Sequence, residues 1–254
     1  VTLERIALLS DVHGNLTAYE AVLADIDRRG ITRVINLGDV VGKGPRGSAC
    51  TALTRQRCEA TVRGNWEVFL SDGRDLSGFG AGPSWWREEL SPDNRDWLLA
   101  LPGSLDLRVS GRRVRLMHAS PIDEFTRVPF HHTEEQRAMM FEPTLFTGDV
   151  PRADVAAYGD IHDAYLEGHP EGTLVNVGSV GNPLDEPTAS YVILEGDPEG
   201  DRTAPFSVQF VRIAYDVEAE ISVAEQLGMP EADAWAIELR TAIYRGRHEK
   251  LGLR

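Results

Sequence analysis

Short polar clusters stand directly after apolar or β-forming runs of this chain: Asp11-Val12-His13, Gly38-Asp39, Gly64-Asn65, His118 and Asp160-Ile161-His162. Their carboxylates, imidazoles and single amide supply oxygen and nitrogen ligands without thiolate. That mixture suits Mn, Fe, Zn, Ni or Co better than Ca. In Asp11-x-His13, alternate residues of an extended loop can point the same way, so a carboxylate and an imidazole can share one ion. Asp39 is placed to bridge two cations. Asn65 and His118 offer a neutral oxygen and a nitrogen, and Asp160 with His162 repeats the Asp-x-His spacing. Together these candidates outnumber the roughly four to six ligands that one ion takes. Two ions ~3.5–4 Å apart, clamping a phosphoryl group, would use them all. The plain alternative is a buried, hydrogen-bonded Asp/His cluster. It is the weaker reading, because unpaired buried carboxylates are costly.

Such clusters need strands to deliver them. Runs of β-formers at 5–10, 32–37, 59–63, 113–117 and 154–158 precede them. In an open α/β sheet the crevice beyond the carboxyl ends of the strands is where ligands bind. A helix is expected from about Asn15 to Arg29, with Leu16, Tyr19, Leu23 and Ile26 on one face and Gly30 past its end. A second helix is expected over 47–57. This alternation implies parallel strands with crossover helices.

Residues 72–103 break the rhythm and read as a helical covering insertion. Ser91-Pro92-Asp93 predicts an N-cap with proline at the first helical position, opening a helix to Ala100. Trp85, Trp86 and Trp97 are expected in the core, given the area each buries. From residue 104 the pattern turns β-rich. Strands 105–109 and 113–117 flank Ser110-Gly111-Arg112, and others follow at 164–167, 173–177, 190–195 and 206–214. Thr133 and Gln136 match a capping box for a helix over 134–141. A helical tail is expected over about 216–254, interrupted near Pro230. The expected architecture is one α/β domain over 1–254, with two sheets and helices outside.

The chain has 254 residues, 42% of them hydrophobic, and a net charge of −14. Bulk nucleic-acid binding is not expected, because it rests on Lys and Arg neutralising phosphates. A bound cation can still draw a small phosphate ester to such a site. No apolar stretch approaches the ~18 residues of a membrane span, and no basic-plus-apolar leader opens the sequence, so a cytoplasmic location is expected. Cys50 and Cys58 are expected to be reduced.

In order and spacing, over roughly residues 5–195, the clusters resemble the calcineurin-like metallophosphoesterase superfamily, in particular its small bacterial YfcE-type phosphodiesterases. Asn176-Val177-Gly178-Ser179-Val180-Gly181-Asn182-Pro183 resembles a further loop of that family. The resemblance implies a four-layer α/β sandwich of two mixed sheets. It implies Asp11, His13, Asp39 and His162 on one metal, and Asp39, Asn65 and His118 on the other. It also implies that a bridging hydroxide attacks phosphorus while the ions stabilise the developing charge. Manganese is the first expectation.

Two positions depart from the family pattern. The late motif is usually G-H-x-H, whereas this chain has Gly159-Asp160-Ile161-His162. Asp160 either ligates through oxygen or hydrogen-bonds a metal-bound water. Many members carry a leaving-group acid, histidine, where Trp66 stands, and an indole only donates. An ester with a good leaving group is then favoured over an alkyl monoester. Lys43 and Arg46, in the loop after Asp39, are candidates for phosphate contact. His131 and His132 are candidates for substrate contact, and Arg63 for a structural ion pair.

The sequence therefore favours a two-metal phosphoesterase acting on a small phosphodiester, with a cyclic nucleotide as one candidate. The alternatives are a Ser/Thr protein phosphatase, a dinucleotide-polyphosphate hydrolase, or a protein-binding scaffold with a degenerate site, as in the retromer subunit of this fold.

Overall fold

The computed structural model describes residues 3–253. Its strands, in chain order, are β1 (Glu4–Leu9), β2 (Arg33–Asn36), β3 (Ala60–Thr61), β4 (Ser104–Val109), β5 (Arg112–Met117), β6 (Val155–Tyr158), β7 (Ala164–His169), β8 (Gly172–Val177), β9 (Ala189–Gly196) and β10 (Phe206–Ile213). They form two five-stranded mixed sheets, ordered β10-β9-β1-β2-β3 and β4-β5-β6-β8-β7. β1, β2 and β3 run parallel, and so do β5, β6 and β8. Parallel neighbours need a crossover. In the first sheet these are α1 (Leu16–Arg28) and α2 (Gly47–Arg57). α1 starts where the Asn15 side chain accepts the Ala18 N–H at 3.0 Å.

The alternation of side chains along β1 sets the layers. Ile6 and Leu8 point inward with Ile35, Leu37, Val192 and Leu194, and meet Val114, Leu116, Val155, Ala157 and Val175 of the second sheet. Ala7 and Leu9 point outward onto Tyr19, Leu23 and Ile26 of α1. Both faces are covered, so β1 reads as an unbroken apolar run rather than an alternating one. Each large aliphatic side chain buried there stabilises the fold by roughly 1.5–3 kcal/mol. The far face of the second sheet packs Met117, Ala156, Tyr158 and Leu174 against Val128, Met140 and Phe141.

The region expected as covering contains α3 (Asn65–Ser71), α4 (Ala81–Glu89) and α5 (Pro92–Leu99). Trp86 is buried, and Trp85 and Trp97 pack half-buried against the same core. The strand expected over 59–63 is shorter in the structure. Val62 still donates to Asn36 O at 2.9 Å, but Arg63 N turns to Pro102 O at 2.7 Å, so α5's exit loop takes over the edge. The helix expected over 134–141 is α6 (Glu134–Met139), opened by the Thr133–Gln136 capping box. α7 (Val217–Gln226) and α8 (Ala232–Thr241) flank Pro230. Cys50 is buried, Cys58 is half-buried, and both are free thiols. Among the described residues, no helix is long and apolar enough to cross a membrane.

Candidate active site

The loops at the carboxyl ends of strands from both sheets are stitched together by backbone hydrogen bonds. The Asp11, His13 and Gly14 N–H groups each donate at 2.9 Å, to the carbonyls of Gly38, Asp39 and Val40. Gly159 N donates to His118 O, and Gly181 N to Asp11 O, also at 2.9 Å. The Asp-x-His loops are not extended. Asp11, His13, Asp39, Lys43, Asp160 and His162 all have φ between 49° and 66°, the left-handed region that non-glycine residues avoid. Such strain persists only where the surroundings over-determine it, and it gathers at functional sites. Here the side chains of both motifs turn toward one point.

Two glycines make the approach close enough. A Cβ on Gly64 would lie 2.3 Å from Asp39 Oδ1, and one on Gly38 would lie 2.7 Å from Gly64 N. Glu67, fully buried on α3, accepts the N–H groups of Asp39 (2.7 Å), Val40 (2.8 Å) and Gly64 (2.7 Å). It clips the β2 loop to the start of α3. Burial and the charge of Asp39 push its carboxyl up to about 7.

At the centre, ligand atoms of Asp11, His13 and His162 all lie within 4.8 Å of one another, as do those of Asp11, Asp39 and His118. Asp39 Oδ2 is 3.6 Å from His13 Nε2 and 3.4 Å from His118 Nε2. The Asn65 amide reaches to 3.4 Å from His118 Nε2. Each imidazole is oriented by a backbone carbonyl at its other nitrogen: Val41 for His13 (3.2 Å), Leu37 for His118 (3.0 Å) and Asn182 for His162. That is how metal-binding histidines are usually fixed, with the carbonyl setting the tautomer that leaves Nε2 free. His13 Nε2 and His162 Nε2 then face each other at 3.1 Å. Asp11 Oδ1, buried beside them, has no hydrogen-bond partner among the described residues. An orphaned carboxylate oxygen among imidazole nitrogens fits a divalent cation, which would satisfy it.

The electrostatics agree. Burial alone would raise the Asp11 and Asp39 carboxyls, but the neighbouring histidines hold both below the usual range. Burial opposes a charge on His118, yet Asp39, Asp11 and Asp160 hold its pKa well above the ordinary value. Burial and the nearby Lys43 ammonium push His13 down to about 4. The cluster is therefore an anionic pocket that draws positive charge to itself.

The other candidates divide. Lys43 lines the adjoining cavity of about 380 Å³ together with Trp66, Asp160 and His162. Its Nζ lies 3.3 Å from His162 Nε2 and donates to Asn182 Oδ1 at 3.2 Å. Arg46 is not directed there. It pairs with the buried Glu220 of α7 and with Thr17 Oγ1, so its role is to hold the tail against α1. His131 and His132 line a neighbouring cavity instead, where His132 Nε2 pairs with Glu167 at 3.0 Å. The substrate contact expected of them is not supported by that placement. Arg63 pairs with Glu124 at 2.6 Å.

Asp160 lies beside the cluster, 3.9 Å from His118 Nε2, with both oxygens already engaged. Oδ1 accepts from Asn65 Nδ2 (3.0 Å) and Arg127 Nη2 (2.7 Å), and Oδ2 accepts from Arg127 Nε (2.7 Å). Arg127 was invisible to sequence reasoning. It lies in an irregular segment with no motif around it, and only the fold brings it to Asp160. The loop 176–183 holds the centre from behind, with Ser179 Oγ donating to Asp11 O at 2.8 Å.

Comparison with known proteins bears on the family and the fold. A relative from Methanocaldococcus jannaschii, itself an uncharacterized protein, is 28% identical over 255 residues, covering 89% of this chain and 94% of that one. The crystal structure of a metallophosphoesterase from Sphaerobacter thermophilus has a TM-score of 0.72 at 24% identity, covering 94% of this chain and 99% of that one. A hypothetical protein from Pyrococcus horikoshii also reaches 0.72, at 18% identity over 95% of this chain and 98% of that one. These two structures establish the shared fold. Residues 5–199 match the family model of the calcineurin-like phosphoesterase superfamily domain, so the chain belongs to that superfamily.

Proposed function

We propose that this protein is a metal-dependent phosphodiesterase with a dinuclear centre, manganese being the first candidate for its ions. The observation that carries the reading is the buried convergence of Asp11, His13, Asp39, His118 and His162, with Asp11 Oδ1 left without a hydrogen-bond partner among the described residues. Asp11, His13, Asp39 and His162 would hold one ion, and Asp39, Asn65 and His118 the other. Ions held there supply Lewis-acid stabilisation of phosphoryl charge and activation of water at neutral pH. The protein's part is to keep the ligands in place and to present the ester. Lys43 carries a cationic donor on the wall of the same cavity.

Trp66 supports a diester over an alkyl monoester. Its ring stands on the cavity wall, edge-on to His13 with centroids 6.2 Å apart. An indole N–H does not give up its proton, so nothing at that position protonates a poor leaving group. The cavity of about 380 Å³ suits a small ester, with a cyclic nucleotide as one candidate.

The test is hydrolysis of bis(p-nitrophenyl) phosphate with added Mn²⁺. Turnover that disappears in Asp39→Asn supports the reading. Wild-type protein that shows no turnover with Mn, Fe, Zn, Ni or Co overturns it and favours a scaffold. Anomalous scattering from metal-loaded crystals would count the ions beside Asp39, and a single ion would overturn the dinuclear part.

A further inference from the structure

We infer that Arg127 is a substrate-binding residue, a guanidinium clamp for an anionic phosphoryl oxygen, and that Asp160 is the carboxylate that positions it. The inference rests on the phosphoesterase reading above and deepens it. Arg127 and Asp160 line the same cavity as Lys43, Trp66 and His162. The carboxylate is almost fully buried, with its side chain 1% exposed, whereas the Arg127 side chain is 61% exposed. The pair is thus a charged fork anchored at its root and open at its tip.

The geometry of the fork supports this role. Nε and Nη2 each donate to Asp160 at 2.7 Å, which fixes the guanidinium plane. A guanidinium has five N–H donors. Those not directed at Asp160 have no protein acceptor among the described residues, and the cavity lies beside them. A structural ion pair this exposed on one side would contribute little to stability. The same pair at the edge of the cavity, next to Asn65 and His118, orients a group that matches the shape of an oxyanion.

This also accounts for the departure in the late motif. An imidazole at position 160 could not hold a guanidinium through two parallel bonds, whereas a carboxylate does so readily. Asp160 adopts φ +65°, and its N–H donates to Asp11 Oδ2 at 3.1 Å, so its backbone is tied to the cluster while its side chain turns to Arg127. With Asn65 Nδ2 as its third donor, Asp160 has most of its acceptor capacity taken up by the protein.

The experiment uses the full chain loaded with Mn²⁺ and orthophosphate as the probe. Calorimetry gives orthophosphate and Mn²⁺ affinities, and steady-state kinetics on bis(p-nitrophenyl) phosphate separates KM from kcat. Arg127→Ala should weaken orthophosphate binding and raise KM by about tenfold to a hundredfold, the usual weight of a charge-assisted hydrogen bond. Mn²⁺ affinity should stay within about twofold. Arg127→Lys keeps the charge but loses the fork, so it should recover only part of the loss. It also carries the test if the alanine variant does not fold. Asp160→Asn should copy Arg127→Ala, and the double variant should be no worse than either single one.

Unchanged orthophosphate affinity in Arg127→Ala would overturn the clamp. Mn²⁺ affinity that falls in Asp160→Asn whether or not Arg127 is present would make Asp160 a metal ligand instead. The two readings fail separately. Protein that binds orthophosphate through Arg127 but hydrolyses no ester keeps the clamp and loses the phosphodiesterase. Turnover that does not depend on Arg127 does the reverse.

Discussion

Removing the Glu67 carboxylate should damage both the fold and the metal centre, by amounts the structure lets one work out. Oε2 accepts the N–H groups of Asp39 and Gly64, each at 2.7 Å, and Oε1 accepts that of Val40 at 2.8 Å. Glu67→Ala leaves these donors without their acceptor in a fully buried place. One unsatisfied buried donor costs about 1–3 kcal/mol. Shared desolvation and entry of a water make the sum less than additive, so about 3–5 kcal/mol is expected. That is a large fraction of the roughly 5–15 kcal/mol that stabilises a native protein. Glu67→Gln keeps the volume and one carbonyl oxygen, which can still serve Asp39 and Gly64. Its amide N–H₂ then confronts Val40 N–H, and the expected cost falls to about 1–3 kcal/mol. Because Glu67 fixes the backbone that aims Asp39, Mn²⁺ affinity should also drop, by about 10–100-fold in the alanine variant, as for other groups that support metal ligands. Urea unfolding of metal-free protein gives the first quantity and calorimetric Mn²⁺ titration the second. An alanine variant within about 0.5 kcal/mol of wild type, with unchanged Mn²⁺ affinity, would refute the idea that this carboxylate holds the site together.

Two further outcomes follow from single side chains. The wild-type rate should fall steeply with leaving-group pKa, and Trp66→His should restore some alkyl monoesterase activity, since a positioned acid contributes ~10²–10⁴-fold. A flat wild-type series with chemistry rate-limiting would mean that another cavity residue, Lys43 first, supplies the proton. Glu89 accepts the Ser48 N–H at the start of α2, at 2.8 and 3.1 Å, and burial pushes its carboxyl up to about 7. A folded pKa above the unfolded one gives stability that is present below about 4.5 and lost as pH rises through about 7. The stability of wild type relative to Glu89→Gln should therefore decline across that window, and a difference that stays flat with pH would rule it out.

What was legible in the sequence, and what was not, follows from where each residue's partner lies. The strands were legible because both faces of β1 and β6 are covered, which leaves unbroken apolar runs that end at polar residues. Asp11, His13, Asp39, Asn65, His118 and His162 could be picked out because each sits at the end of such a run. The structure brings them together because the parallel strands of the two sheets present their carboxyl ends to one crevice. Roles that depend on a distant partner were not legible. Arg46 shares a loop with Lys43, yet it leaves the crevice because Glu220 lies against it from α7, 174 residues away. His132 turns from the cluster because Glu167 on β7 holds it. Spacing alone also misjudged the backbone. The Asp-x-His residues are not extended; left-handed residues at both ends fold the motif onto its neighbours.

Asp160 shows both effects at once. Its spacing from His162 marks it as a candidate ligand, and its chemistry allows that role. Its two bonds to Arg127, 33 residues upstream, suit the positioning role inferred for it. A carboxylate held by a guanidinium and an amide has little affinity left to offer an ion, whereas a guanidinium held by a buried carboxylate keeps its outward donors free for an anion. The same substitution that weakens the case for a metal ligand thus strengthens the case for a phosphate contact. That is why the departure from the family motif at this position need not mean a degenerate site.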